Sequence, residues 1–295
     1  MLIYLRSFKN HLLLHLIVLI YGFTGIFGKL ISIKAIDLVW YRLLIAVSAL
    51  LGFILLKGVG LKTDFRTLVK YFGVGFIIAL HWVCFYESIK LGAVSVAVIC
   101  LSASTFFTAL IEPFVFKRKI SRYEIFGGII IFFLLYWMFS GEKVSPSCVG
   151  FGVASAFLAS VFPVLNGVLT GQDSPYRITF YELLGGLVFL TIMLSLTGDL
   201  TNSSFWNISQ MDWLWLVVLG IICTSFAFVI SVSIMREISP FTVVMSINLE
   251  PIYTILLAYF IFGVNERRSY QFYLGSVAIV ACIFCNAYLK GRHKS

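Results

Sequence analysis

The chain has 295 residues, 60% of them hydrophobic and 12% charged, with a formal net charge of +9 and a mean hydropathy of +1.01. A soluble domain of this length needs far more polar surface, so the composition excludes a water-soluble globular protein and points to a chain threaded repeatedly through a bilayer. The basic excess alone would suit a nucleic-acid partner, but its placement along the chain excludes that reading.

Apolar stretches of spanning length lie at 11–33, 36–56, 68–90, 93–116, 123–140, 148–170, 177–197, 212–235, 240–262 and 270–289. Each is near the ~20 residues that cross a ~30 Å hydrocarbon core. The longest connections, 57–67 and 198–211, are too short to fold alone. The first stretch follows Arg6 and Lys9 but carries no small-x-small cleavage site, so it reads as the first span and not as a signal peptide.

With a cytoplasmic N-terminus, fifteen of the 22 basic residues fall on the cytoplasmic side, among them Lys57, Lys62, Arg66, Lys117, Arg118, Lys119, Arg177 and Arg236. Five fall opposite: Lys34, Lys90, Lys143, Arg267 and Arg268. This asymmetry is the positive-inside signature and places both termini in the cytoplasm. The basic charge therefore reports topology; no nucleic-acid partner is expected.

The second five spans echo the first five. A shift of 147 pairs Leu91-Gly92-Ala93-Val94-Ser95-Val96 with Ile238-Ser239-Pro240-Phe241-Thr242-Val243, Gly73 with Gly220, and Gly128 with Gly275. A shift of 140 pairs Trp40-Tyr41-Arg42-Leu43-Leu44 with Phe180-Tyr181-Glu182-Leu183-Leu184. Five is odd, so the second half enters the bilayer from the opposite face. The expected fold is an all-α integral membrane protein of ten transmembrane helices, arranged as two inverted five-helix repeats at 1–147 and 148–295. In carriers built this way the substrate site lies between the halves near mid-membrane.

An ionised group inside a span costs about 2.5–3.5 kcal/mol on insertion scales, so such groups need partners, water or a proton. Arg42, Glu112, Glu182 and Glu250 are the strongest cases. Arg42 and Glu182 each lie about six residues inside their spans, ~9 Å deep, from opposite faces. Glu250 precedes Pro251 and shares a helical face with Ser246, Tyr253 and Thr254, the pattern of a cavity wall or of a buried interhelical cluster. Span 4 has a comparable stripe, Ser95, Ser102, Thr105, Ala109 and Glu112. Span 6 has Ser155, Ala159, Pro163, Asn166 and Thr170. His81 is either a proton relay or a neutral, hydrogen-bonded packing residue. Arg42 is expected to meet a substrate carboxylate or one of the glutamates. Glu182 and Glu250 are the candidates for carrying a coupling proton.

The chain resembles the EamA-type transporters of the drug/metabolite transporter superfamily. The resemblance spans nearly the whole chain and rests on the ten spans, the basic loop Lys117-Arg118-Lys119-Ile120-Ser121 and the Gly263-Val264-Asn265-Glu266-Arg267 turn. The pairs and runs His81-Trp82, Leu110-Ile111-Glu112-Pro113, Tyr181-Glu182-Leu183-Leu184-Gly185-Gly186 and Asn248-Leu249-Glu250-Pro251 add to it. Lys119 stands where the second half has the family-like Glu266, a departure in the first-half loop. The resemblance implies secondary, proton- or exchange-coupled export of small polar metabolites such as amino acids, across the bacterial inner membrane. Trp82, Tyr181, Asn248 and Tyr253 join the site candidates.

No HExxH pair, GxSxG elbow or histidine cluster is present in the sequence, so neither an enzyme nor a metal or other cofactor is expected. Cys282 and Cys285 read as small-residue packing. The alternative from another class is an intramembrane binding protein or enzyme acting on a lipid-like substrate. The sequence leaves substrate, direction and oligomeric state open. The partners expected are a small-molecule substrate, membrane lipids and, as a candidate coupling ion, protons.

Overall fold

The computed structural model describes residues 2–292, except 118, 121, 142, 172, 239–242, 244, 245, 248 and 264–266. All regular structure among the described residues is helical. The helices are α1 (Leu2–Leu30), α2 (Ala35–Lys57), α3 (Phe65–Leu91), α4 (Val94–Val115), α5 (Arg122–Ser140), α6 (Pro146–Leu169), α7 (Pro175–Thr197), α8 (Gln210–Ile234), α9 (Glu250–Phe262) and α10 (Tyr270–Arg292). Seven of them are long and apolar enough to cross a membrane: α1 to α4 and α6 to α8. The apolar stretches Ile125–Ser140, Glu250–Phe262 and Tyr270–Cys285 are shorter. The protein is thus a multi-pass helical membrane protein. Part of the ninth sequence-derived span, 240–262, falls outside the described residues.

Local chemistry marks the helix ends. Asp64 caps α3 by accepting from the Thr67 amide at 2.9 Å, and Ser209 caps α8 by accepting from the Asp212 amide at 3.0 Å. Pro146 and Pro175 stand in the first turns of α6 and α7, where a missing N–H costs nothing. Gly58 and Gly198 close α2 and α7 in the left-handed conformation, at φ +64° and +78°.

Packing centres on α3, which lies against α6 and α7. Further pairs are α2 with α7 and α8, α1 with α8 and α9, α4 with α6 and α9, and α5 with α10. Close approach is carried by glycine: a Cβ on Gly75 of α3 would overlap the backbone carbonyl of Glu182. Within a membrane, where lipid is as apolar as leucine, such backbone-to-backbone contact is a main source of helix association. Large apolar side chains such as Leu55, Phe126, Tyr136, Leu196 and Val277 stand exposed on the outer faces, as a lipid solvent requires.

Candidate functional site

A cavity of about 80 Å³ lies inside the bundle, walled by α1, α2, α3, α4, α6, α8, Ile247 and α9. That is well under the ~300–1,000 Å³ of drug-sized sites. Its walls carry a 3-10 turn and two prolines, and a π-helix lies one turn before the α8 residues that line it. In α4 a 3-10 turn, Leu101–Ala103, brings Leu101 and Ser104 to the cavity. Pro163 lies within α6, which runs unbroken through it, and Pro251 stands in the first turn of α9. In α8 the run Ile221–Phe226 is a π-helix, a rare form that tends to mark functional sites.

The π-helix positions Arg42. Gly220 lets α8 approach α2 so closely that a Cβ would stand 3.2 Å from the Arg42 carbonyl oxygen. The widened turn then presents Thr224, whose hydroxyl donates to the Leu219 carbonyl at 2.7 Å. The same hydroxyl accepts from Arg42 Nε at 2.6 Å. Arg42 Nη1 donates to the Tyr86 hydroxyl at 2.8 Å, and the guanidinium carbon lies 3.8 Å from the centre of the Trp82 ring. Arg42 is thus 2% exposed yet oriented by a hydroxyl, a phenol and an indole face. No carboxylate lies within ion-pair distance of it among the described residues. A guanidinium held this way keeps its charge and its orientation, and its remaining N–H groups are of the kind that donate to a planar anion.

Glu250, 5% exposed, lines the same cavity, as do His81 and Trp82. A fixed cation and an acid therefore share one small chamber. His81 Nδ1 lies 2.9 Å from both the backbone oxygen and the hydroxyl of Ser155, so α6 holds the ring in place.

The two ends of the bundle differ. At one end Asp212 accepts from the Ser32 amide at 2.7 Å and from the Ser32 hydroxyl at 2.6 Å. Lys90 and Lys29 bond there to the carbonyls of Ile31 and Gly92, tying α1, α3, α4 and α8 together. Toward the other end, Met235 is shared between the cavity and an open hollow lined by Gly167, Thr170, Gly171 and Arg236.

The EamA-like transporter family model matches this sequence twice, over residues 9–140 and 146–288. The chain belongs to the EamA-like transporter family. That makes it a multi-pass membrane transporter. Among its relatives is the uncharacterized transporter YxxF of Bacillus subtilis (strain 168), 26% identical over 81% of this chain and 77% of that protein. Another is an uncharacterized transporter of Archaeoglobus fulgidus, 24% identical over 94% of this chain and 96% of that one. A solved crystal structure shares the fold at 16% identity, with a TM-score of 0.70 over 97% of this chain and 99% of that chain.

Within this EamA-family chain the sequence-derived candidates separate into groups. Arg42, His81, Trp82 and Glu250 come together at the cavity. Glu182 does not: it is wholly buried and accepts from Asn166 Nδ2 at 3.2 Å, outside the cavity. Glu182 thus stands apart from the cavity that Arg42 lines, and the two form no ion pair. Tyr181 donates its hydroxyl to the Leu61 carbonyl at 2.7 Å. Tyr253 sits over Gly22, and Thr254 donates to the Gly22 carbonyl at 3.0 Å. The polar face of α9 is therefore divided between the cavity and α1. Glu112 is buried near the end of α4 and is absent from the cavity lining. Asn248 lies outside the described residues.

Sequence reasoning missed Tyr21, Thr24, Ser104, Phe162, Phe228 and Ser231 as cavity residues. Tyr21 and Thr24 are one turn apart in an otherwise apolar run, a signal that was available. The π-helix has none: Thr224 and Ser225 look like any small polar pair in a packed span.

Proposed function

We propose that the protein is a secondary carrier of the bacterial inner membrane that exports small polar metabolites such as amino acids. It works by alternating access and is coupled to protons or to exchange. The observation that carries this reading is the small chamber bearing Arg42 at one side and Glu250 among its lining. A solute with a carboxylate and an ammonium group satisfies both, and the cavity volume suits nothing much larger. A guanidinium and a carboxyl group that form no ion pair with each other suit a charged polar solute better than a lipid tail.

An arrangement of ten spans in two inverted repeats is supported by structural equivalences at the shifts read from the sequence. Gly58 and Gly198, the left-handed ends of α2 and α7, are 140 residues apart, like Arg42 and Glu182. Gly220 packs on Ile45 and the Arg42 carbonyl of α2, and Gly75 packs on the Glu182 carbonyl of α7, the counterpart helix. The helix pairs α3–α6 and α3–α7 are matched by α8–α1 and α8–α2, the pairing expected of a pseudo-two-fold relation. The double match of the family model supports the same division. Both termini face the cytoplasm in this reading, and the hollow below Met235 opens on the basic side.

The experiment is uptake and efflux of a panel of radiolabelled amino acids and related metabolites in proteoliposomes holding the purified protein. A member of the panel must exchange against its own unlabelled form. Absence of exchange for every small polar solute, with retention of bound lipid-like molecules, would favour the binding-protein alternative.

A further inference from the structure

We propose that Glu182 and Asn166 form a proton-binding site of their own, separated from the substrate cavity and reached from a polar hollow at the basic end of the bundle. As a coupling site it rests on the carrier reading above; as a proton site it stands alone.

Both residues are fully inaccessible, and Asn166 Nδ2 donates to Glu182 Oε2. Glu182 Oε1 and Asn166 Oδ1 have no hydrogen-bond partner among the described residues, and nor does Thr179 Oγ1, one turn earlier on α7. No basic side chain lies within ion-pair distance of Glu182 among the described residues. An anionic carboxylate with one neutral donor is an expensive thing to bury. A proton removes the charge and supplies the missing donor. The proton leaves a hydronium ion of the hollow and forms an O–H bond on the carboxylate; water takes it back on release. Asn166 serves both forms: its amide N–H donates to the carboxylate, and after a half-turn its carbonyl oxygen accepts from the acid.

The surrounding elements offer no counter-charge. From α3 come Tyr71, whose hydroxyl donates to Asp173 at 2.9 Å, and His81, held by Ser155. From α2 comes Arg42, committed to Thr224 and Tyr86. Arg177, on α7 itself, pairs with Asp173 at 2.8 Å. From α8 comes Cys223, buried, and from the turn after it Arg236, bonded to the carbonyls of Thr170 and Asp173.

A hollow of about 490 Å³ is lined by Lys62, Asp64, Thr67, Tyr71, Asp173 and Arg177, and Arg177 lies five residues before Glu182 on α7. The Tyr71 ring stacks on Tyr181, with centroids 6.2 Å apart, and Glu182 is the next residue. A link to the cavity is also present. The Glu182 carbonyl is seated against Gly75 of α3, and α3 carries His81 and Trp82 into the cavity wall. The proton site and the substrate chamber thus share one helix, α3.

The test is infrared difference spectroscopy of the whole protein in liposomes, with pH swept across neutrality and no substrate added. The wild type is expected to show a protonated carboxylic C=O band that comes and goes with pH. It should vanish in Glu182→Gln and persist in Glu250→Gln. Asn166→Leu, which keeps the acid, should shift its frequency, so the claim stays testable if Glu182→Gln fails to fold. Replacing sodium by choline should leave the band unchanged. A band insensitive to Glu182→Gln, the lack of any such band, an unshifted band in Asn166→Leu, or displacement of the band by sodium at fixed pH would each overturn the proposal. Because no transported solute is involved, a failure here is distinguishable from failure of the carrier reading.

Discussion

The guanidinium of Arg42 lies 3.8 Å from the centre of the Trp82 ring, so α2 and α3 meet through a cation stacked on an indole inside the bundle. That contact, with Thr224 and Tyr86 at the nitrogens, fixes the charge without neutralising it.

Arg42→Lys should therefore damage transport although it keeps the charge. A lysine ammonium cannot hold Thr224 and Tyr86 while lying flat on Trp82. Each lost hydrogen bond to a charged group is worth about 1.5–3 kcal/mol, so kcat/KM for the transported solute should fall at least ~10-fold. Trp82→Leu removes a desolvated cation–π contact of about 2 kcal/mol and should cost roughly 30-fold. Initial rates in proteoliposomes measure both.

Gly75→Ala and Gly73→Ala should part company. A Cβ at Gly75 overlaps the Glu182 carbonyl, whereas Gly73 faces open space. The first should destabilise by about 1–3 kcal/mol or more; the second should be neutral or stabilise by up to ~1 kcal/mol through helix propensity. Thermal unfolding in one detergent compares them directly.

How much of this was legible beforehand differs between fold and site. Hydropathy marks the seven long apolar helices well, because burial in lipid demands runs of apolar residues whatever their neighbours. Arg42, His81, Trp82 and Glu250 were readable because polar groups inside a span need a reason. The destination of Glu182 was not. Its helix is apolar on every side, around Leu183, Leu184 and Leu187, so no amphipathic period tells the face against α3 from the face toward lipid or cavity. Only the glycine contacts of Gly75 and Gly186 decide it, and a glycine in a sequence does not name its partner.

The Ser32–Asp212 contact should keep one end of the cavity shut. In a cysteine-free background, Ser104→Cys places a thiol on the cavity wall. A membrane-impermeant thiol reagent should label it from the Met235 end and hardly at all from the Asp212 end. Adding Asp212→Ala removes the acceptor of both Ser32 bonds and should raise labelling from the Asp212 end several-fold. Labelling that is equal from both ends before that change would show that the bonds close nothing.

The most direct measurement is counterflow: proteoliposomes preloaded with the unlabelled solute, labelled solute outside, and no ion gradient imposed. With Arg42 as the carboxylate anchor, the wild type accumulates label transiently and Arg42→Gln, folded and reconstituted to the same level, does not. Equal counterflow by Arg42→Gln would contradict the account, since the charge at the centre of the cavity would then have no part in holding the solute.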